Sequence, residues 1–231
     1  MRIATHEHCR RQGVARKLVQ AILDQAKQQS VELLGTSYAV DSISLSFWQE
    51  LNFKAARIGH RVDASSGAQS LQMLLPVSSD CDVEVGQLHA QFLKDLPYRL
   101  SDDLSGLEPD VVSALFSNDF SVGSIDESEK ALLRGFIEHR RELQSVIPVM
   151  QRCLIFALNQ KKPEASMALM VAIKLLLQRH TREQIKLGCG LSKNEQVDLL
   201  KQLFSDFLTS SWPTQNTRLH SALSVKKAWG K

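Results

Sequence analysis

The 231-residue sequence predicts an α+β fold: a mixed sheet of about four strands with two helices in residues 1–76, then an all-α region over residues 77–231. Three observations carry this. The short strand-like apolar runs lie before Pro76, and the strong apolar segments after it repeat at helical spacing. The first two strand-like runs, residues 2–5 and 32–38, flank a helical one at the lengths of a right-handed crossover with parallel strands. Pro76 and the polar run Val77-Ser78-Ser79-Asp80 then end the pattern, and the domain boundary is placed there.

Arg2-Ile3-Ala4-Thr5 reads as the end of a strand. In the next segment Val14, Leu18, Ala21, Ile22 and Ala26 share one helical face, widened by Val19 and Leu23. The second strand, residues 32–38, follows. Asp41 or Ser42 caps a short helix through Leu45, Phe47, Trp48 and Leu51, with Asn52 placed for a left-handed residue beyond its end. Residues 53–58 and 69–75 are two further strands, joined by a polar loop over residues 59–67 that is long for a hairpin.

Beyond Pro76, residues 82–96 form a helix expected to end at Pro97, and Pro109 opens another in its first turn. Ser124-x-x-Glu127 reads as a capping box before Ala131, Leu132, Phe136 and Ile137. A helix over residues 145–159 tolerates Pro148 only in its first turn, so it is separate from the one before. Residues 165–178 are apolar nearly all round and predict the buried centre, with Gly188-Cys189-Gly190 as the break. Ser192-x-x-Glu195 caps a last helix through Val197, Leu199, Leu200, Leu203 and Phe204.

Composition narrows the class. Hydrophobic residues at 43% are ample for packed cores, and no apolar run reaches membrane-spanning length. The N-terminus has no signal-peptide pattern, so a cytoplasmic protein is expected. Cys9, Cys81, Cys153 and Cys189 are far apart with no Cys-x-x-Cys pair, which predicts free thiols. His6 and His8 would share one face of a strand with Cys9 on the other, so no metal site is expected. The net charge of +3 conceals an asymmetry: residues 77–139 carry four Lys/Arg against thirteen Asp/Glu, and residues 140–231 fifteen against six. No acidic residue follows Asp206, whereas Arg218, Lys226, Lys227 and Lys231 do, with Trp212 and Trp229 among them. Such a tail suits a polyanion such as RNA, and Arg218, Lys226 and Lys227 are its candidate contacts.

The chemistry-bearing stretch is Arg10-Arg11-Gln12-Gly13-Val14-Ala15-Arg16, at a strand-to-helix turn. There the first helical N–H groups lack intrahelical partners and the helix dipole adds partial positive charge, which together favour phosphate. Gly13 allows close backbone approach, Ala15 is small, and the arginines offer forked donors to phosphate oxygens. The pattern resembles the pyrophosphate-binding loop of GCN5-related N-acetyltransferases. In order along the chain, Ile3-Ala4-Thr5-His6, this loop, Gly35-Thr36-Ser37-Tyr38, Phe47-Trp48-Gln49 with Asn52-Phe53, and the segment from Gly59 to Gly67 resemble the tRNA(Met) cytidine acetyltransferase family. The likeness is close to Pro76 and looser beyond it, through Leu88-His89, Pro97-Tyr98 and the stretch from Phe136 to Arg141.

The resemblance implies a partial acetyltransferase sheet, which binds acetyl-CoA, followed by a helical tRNA-binding tail. The implied reaction is acetylation of N4 of the wobble cytidine in elongator tRNA(Met). Arg10, Arg11, Gln12, Gly13, Val14, Ala15 and Arg16 would hold the CoA pyrophosphate; the backbones of Ile3, Ala4 and Thr5 would line the pantetheine arm. His60 and Arg61, in the polar loop, are candidates for touching RNA. Full-length family members also use ATP or GTP, but this chain has no Gly-x-x-x-x-Gly-Lys-Ser/Thr motif. The strands that precede Arg2 in the family are not in the sequence, so the chain reads as a C-terminal portion with an exposed sheet edge suited to self-association. Where the family has an acidic residue near the start of the Phe-Trp-Gln helix and a basic one after Gln49, this chain has Ile43 and Glu50. The alternatives are a non-catalytic RNA-binding or assembly fragment, and an acetyltransferase acting on another amine.

Overall fold

Alternation along residues 69–76 makes the central strand of the sheet. In β3 (Gln69–Pro76), Gln69, Leu71, Met73 and Leu75 are buried while Ser70 and Gln72 are exposed, the period of two that sets one face on a core. It lies between β1 (Leu33–Ala39) and β2 (Lys54–Val62), antiparallel to both, with Thr36 opposite Met73 and Ala55 opposite Met73 on the other side. The computed structural model describes residues 6–9, 11–64, 66–116, 125–160 and 165–209. The strand expected over residues 2–5, and with it the parallel crossover, falls outside these. Among the described residues the sheet is three-stranded and antiparallel.

The chain divides into two compact units, Met1–Leu115 and Phe116–Lys231. The first therefore extends well past the boundary expected at Pro76. The reason is α3 (Asp82–Leu100), which packs on β2 and β3 through Val85, His89, Phe92, Leu93, Leu96 and Leu100. It also satisfies the bulged edge strand: His89 donates from Nδ1 to the Ala55 carbonyl at 2.7 Å, and Arg99 donates to the Ile58 carbonyl at 2.8 Å. These contacts explain why α3 continues through Pro97, against the expectation that it ends there. The proline forfeits one intrahelical bond, and burial of Leu96 and Leu100 with the Arg99 bond holds the last turn.

In the same unit, α1 (Val14–Gln28) buries Val19 and Ala26 and half-buries Ile22 and Leu23, but Val14 and Leu18 are each 46% exposed. The start of the helix is thus open to solvent. Asp41 caps α2 (Ser42–Glu50) by accepting from Ser44 N at 2.8 Å, and Asn52 takes the left-handed conformation beyond it at φ 64°, both as expected. Leu45 is fully buried and Gln49 donates to the Ala114 carbonyl at 2.8 Å, fixing α2 against α4 (Pro109–Leu115). The 59–67 loop is shorter than expected because β2 runs on to Val62, which pairs with Gln69; His60 and Arg61 stand within the second bulge, between Ile58 and Val62.

The described residues of the second unit form helices and their connections, with no strand among them. Asp126 caps α5 (Glu127–Ile137), accepting from Glu129 N at 2.8 Å while Glu129 accepts from Asp126 N at 3.1 Å. The box expected at Ser124 and Glu127 is displaced by two residues because Glu127 is the first residue of the helix; Ser124 lies outside the described residues. Next, α6 (Leu143–Gln160) starts earlier than expected and holds Pro148 in its second turn, at the loss of one bond to the Gln144 carbonyl, with Val146, Val149 and Met150 buried around it. The predicted buried centre is α7 (Met167–Ala172), which runs on as a π-helical turn, Ile173–Leu177, and buries Leu169, Val171, Ile173 and Leu176. It ends at Gln178, as expected, with Arg179 at φ 55° just beyond, ahead of the Gly188-Cys189-Gly190 run. Between the two stands an unforeseen helix, α8 (Arg182–Cys189), held by a Thr181–Gln184 capping box and closed by left-handed Gly190. Ser192 and Glu195 cap α9 (Lys193–Thr209) as expected, and α9 packs on α5 and α7. No helix among the described residues is long and apolar enough to cross a membrane.

Candidate functional site

A left-handed pair builds the turn into α1. Arg11 stands at φ 59° and Gly13 at φ 76°, so the chain reverses sharply just before the first helical residue. Gln12 fastens the turn by donating from Nε2 to the His8 carbonyl at 2.7 Å, and His6 to Cys9 close a 3-10 turn through Cys9 N and the His6 carbonyl at 2.8 Å. That turn replaces the strand on which His6, His8 and Cys9 were placed. No group of three metal-ligating side chains forms among the described residues.

Gly13 is the N-cap and carries no side-chain cap, while its carbonyl accepts from Lys17 N at 3.0 Å. The amides of Val14, Ala15 and Arg16, in the first helical turn, have no intrahelical acceptor. A Cβ built on Gly13 meets nothing within 4 Å, so the approach is open. Arg11, Gln12 and Gly13 are exposed, Ala15 half-buried. Helix-terminal amides without intrahelical acceptors, with Arg11 before them and Arg16 among them in the sequence, are of a kind that suits a phosphate or pyrophosphate group. These residues therefore fit a CoA pyrophosphate.

One feature opposes it. Arg16 donates to Glu50 at 2.6 Å, from the first turn of α1 to the last residue of α2, with the two side chains 52% and 63% exposed. The sequence singled out Glu50 by its departure from the family pattern; its partner was not foreseen. Glu50 both occupies Arg16 and puts a carboxylate beside the anion site.

The other motif residues are packing elements. Gly35 stands where a Cβ would touch Leu74 at 3.5 Å, and Tyr38 donates its hydroxyl to Met73 Sδ at 3.1 Å. Burial, helped by the Asp41 charge, keeps the Tyr38 phenol above its ordinary range. Trp48 stacks edge-on with Phe47 and Phe53, at 5.1 and 4.8 Å between ring centroids. His60 and Arg61 are exposed on β2, not in a loop, and no hydrogen bond or ion pair among the described residues joins them to the Arg11–Arg16 turn. Ile3, Ala4, Thr5, Arg10, Arg218, Lys226 and Lys227 lie outside the described residues.

Residues 1–53, which contain this turn, α1, β1 and α2, match the model of the acetyltransferase (GNAT) family. Among characterised proteins, the tRNA(Met) cytidine acetyltransferase TmcA of Nitrosococcus halophilus is 35% identical over 115 residues, 50% of this chain and 15% of that protein. The TmcA of Photorhabdus asymbiotica is 25% identical over 154 residues, 67% of this chain and 21% of that protein. That of Haloarcula marismortui is 30% identical over 115 residues, again 50% of this chain and 15% of that protein. The matched stretch thus spans about a fifth or less of the length of these relatives. Motif order, the GNAT segment and the repeated likeness to TmcA proteins agree: over the matched stretches the chain is similar to tRNA(Met) cytidine acetyltransferases.

Proposed function

We propose that this chain contributes the acetyl-CoA-binding turn and an RNA-holding helical region to acetylation of N4 of the wobble cytidine in elongator tRNA(Met). The observation that carries the reading is the open N-terminus of α1. Gly13 turns the chain without blocking it, and the amides of Val14, Ala15 and Arg16 are left to a ligand. Arg11, before those amides in the sequence, and Arg16, among them, can neutralise a pyrophosphate bidentately. Acetyl-CoA supplies the acetyl group as a thioester; the role of these residues is to hold and orient it. Orientation matters because the cytidine amine delocalises its lone pair into the ring and is a weak nucleophile, so positioning and proton removal carry much of the rate. His60 and Arg61 at the exposed end of β2, and Arg218, Lys226 and Lys227 in the basic tail, are proposed RNA contacts.

A second reading, RNA binding without acetyl transfer, is favoured by one specific contact: the Arg16–Glu50 pair withdraws an arginine from the anion site. One experiment separates them. The chain is incubated with acetyl-CoA and elongator tRNA(Met), and the digested RNA is analysed for N4-acetylcytidine at the wobble position. Product formed with wild-type tRNA, and absent when that cytidine is replaced by uridine, supports transfer. Retained tRNA with no acetylcytidine supports the second reading.

A further inference from the structure

The second compact unit holds a cavity of about 630 Å³ that takes no part in acetyl-CoA binding as proposed, and its chemistry is that of an anion site with an apolar wall. Three helices begin at it: Leu143, Arg182 and Lys193, the first residues of α6, α8 and α9, all line it. Each helix start adds partial positive charge. Side-chain charge acts in the same direction, with Arg179, Arg182 and Lys193 against Glu183 alone, and Lys193 already pairs with Glu183 at 2.6 Å.

Two of these cations have donors to spare. Arg182 is positioned by the Thr181–Gln184 cap and donates from Nη2 to the Lys193 carbonyl, yet its Nε is buried with no hydrogen-bond partner among the described residues. Arg179 is exposed, stands at φ 55° where the π-helical turn ends, and bonds to none of the described residues. A non-glycine residue held in that conformation costs free energy. The apolar part of the lining comes from one face of α6, Ile147 and Pro148 with Gln144 a turn before, and from Leu175 in the π-helical turn. It can lie flat against a ring, and the Gln144 amide has both a donor and an acceptor for a base edge. The volume is that of a small-molecule pocket, far more than a phosphate ion fills.

We infer that this cavity binds a nucleoside phosphate, with the phosphate against Arg179 and Arg182 and the base against Ile147, Pro148 and Leu175. The ligand is either a free nucleotide or one nucleotide of a single-stranded RNA. The inference does not depend on acetyl-CoA binding, because the cavity lies in the other compact unit.

The test is calorimetric titration of the full chain with AMP, with inorganic phosphate and with a single-stranded heptanucleotide RNA. Arg179→Ala, Arg182→Gln and Gln144→Glu are titrated alongside. Gln144→Glu places an acid in the first turn of α6, where it favours the helix but repels phosphate, so it remains informative if Arg182→Gln melts early. AMP binding that weakens about tenfold in Arg179→Ala and Gln144→Glu supports the site, with a free nucleotide as its ligand. RNA binding weakened by the same variants, with AMP silent, supports a nucleotide within a strand. Inorganic phosphate binding as tightly as AMP overturns the nucleoside assignment. No binding by any probe, or binding indifferent to the variants, overturns the site.

Discussion

Gly13, Arg16 and Glu50 decide whether the turn before α1 can hold a pyrophosphate. Gly13 sets the reversal at φ 76°, Arg16 supplies a guanidinium, and Glu50 engages it at 2.6 Å. Because both partners are more than half exposed, the pair contributes little to stability, about 0.2–1 kcal/mol. Its effect on a bound dianion is a different matter. Phosphate must take Arg16 from Glu50 and then tolerate the carboxylate nearby. Glu50→Gln should therefore tighten acetyl-CoA binding by about two- to fivefold at low salt and leave thermal stability nearly unchanged. Unchanged or weaker binding in that variant would mean that Arg16 does not meet the phosphates.

At the scale of elements, the clearest signals in the sequence were local ones. Asp41 before α2, Asn52 after it and Ser192 with Glu195 before α9 each satisfy orphaned backbone groups with neighbours two to four residues away, and each stands as expected. What escaped the sequence depended on distant partners. Pro97 marks a helix end by its own chemistry, yet burial of Leu100 and the bond from Arg99 to the Ile58 carbonyl, 41 residues away, keep α3 helical through it. The α8 start was legible as Thr181-x-x-Gln184 but was masked by the long apolar run before it, which the π-helical turn ends. At the candidate site the Gly13 turn was legible, and the Glu50 contact, made between helices, was not. Arg99 also gives α3 a pH dependence. Its hydrogen bond to Asp103 holds that carboxyl below the usual carboxylate range, and the folded state is favoured when Asp103 is charged. The contribution is complete above the unfolded carboxylate pKa of about 4 and is lost as pH falls through the lower folded value. Asp103→Asn should thus cost about 1 kcal/mol or less at pH 7, and the difference from wild type should vanish in acid. A difference that persists at the acid limit, measured by thermal unfolding across pH, would remove the ion pair from the account.

At the scale of the whole molecule, charge is sorted along the chain: an acidic middle and an end with no acid after Asp206. The proposed RNA contacts at Arg218, Lys226 and Lys227 belong to that end, outside the described residues. Deleting residues 210–231, which leaves α9 whole, should weaken tRNA binding and flatten its salt dependence. The slope of log K against log salt should fall by about 0.7–0.9 for each phosphate that the tail neutralises. An unaltered slope would mean that this segment is solvated surface. Acetyl-CoA is a separate matter, resting on the first compact unit, and the central claim is that the turn before α1 binds its pyrophosphate. The most direct test is calorimetric titration of the folded chain with acetyl-CoA, with Gly13→Asp beside it. Asp is among the residues that tolerate a left-handed backbone, so the variant places a negative charge at the open N-terminus without forbidding the turn. Binding by the wild type and its loss in Gly13→Asp are expected. Equal affinity in the two proteins, or no binding by a folded wild type, would contradict the claim.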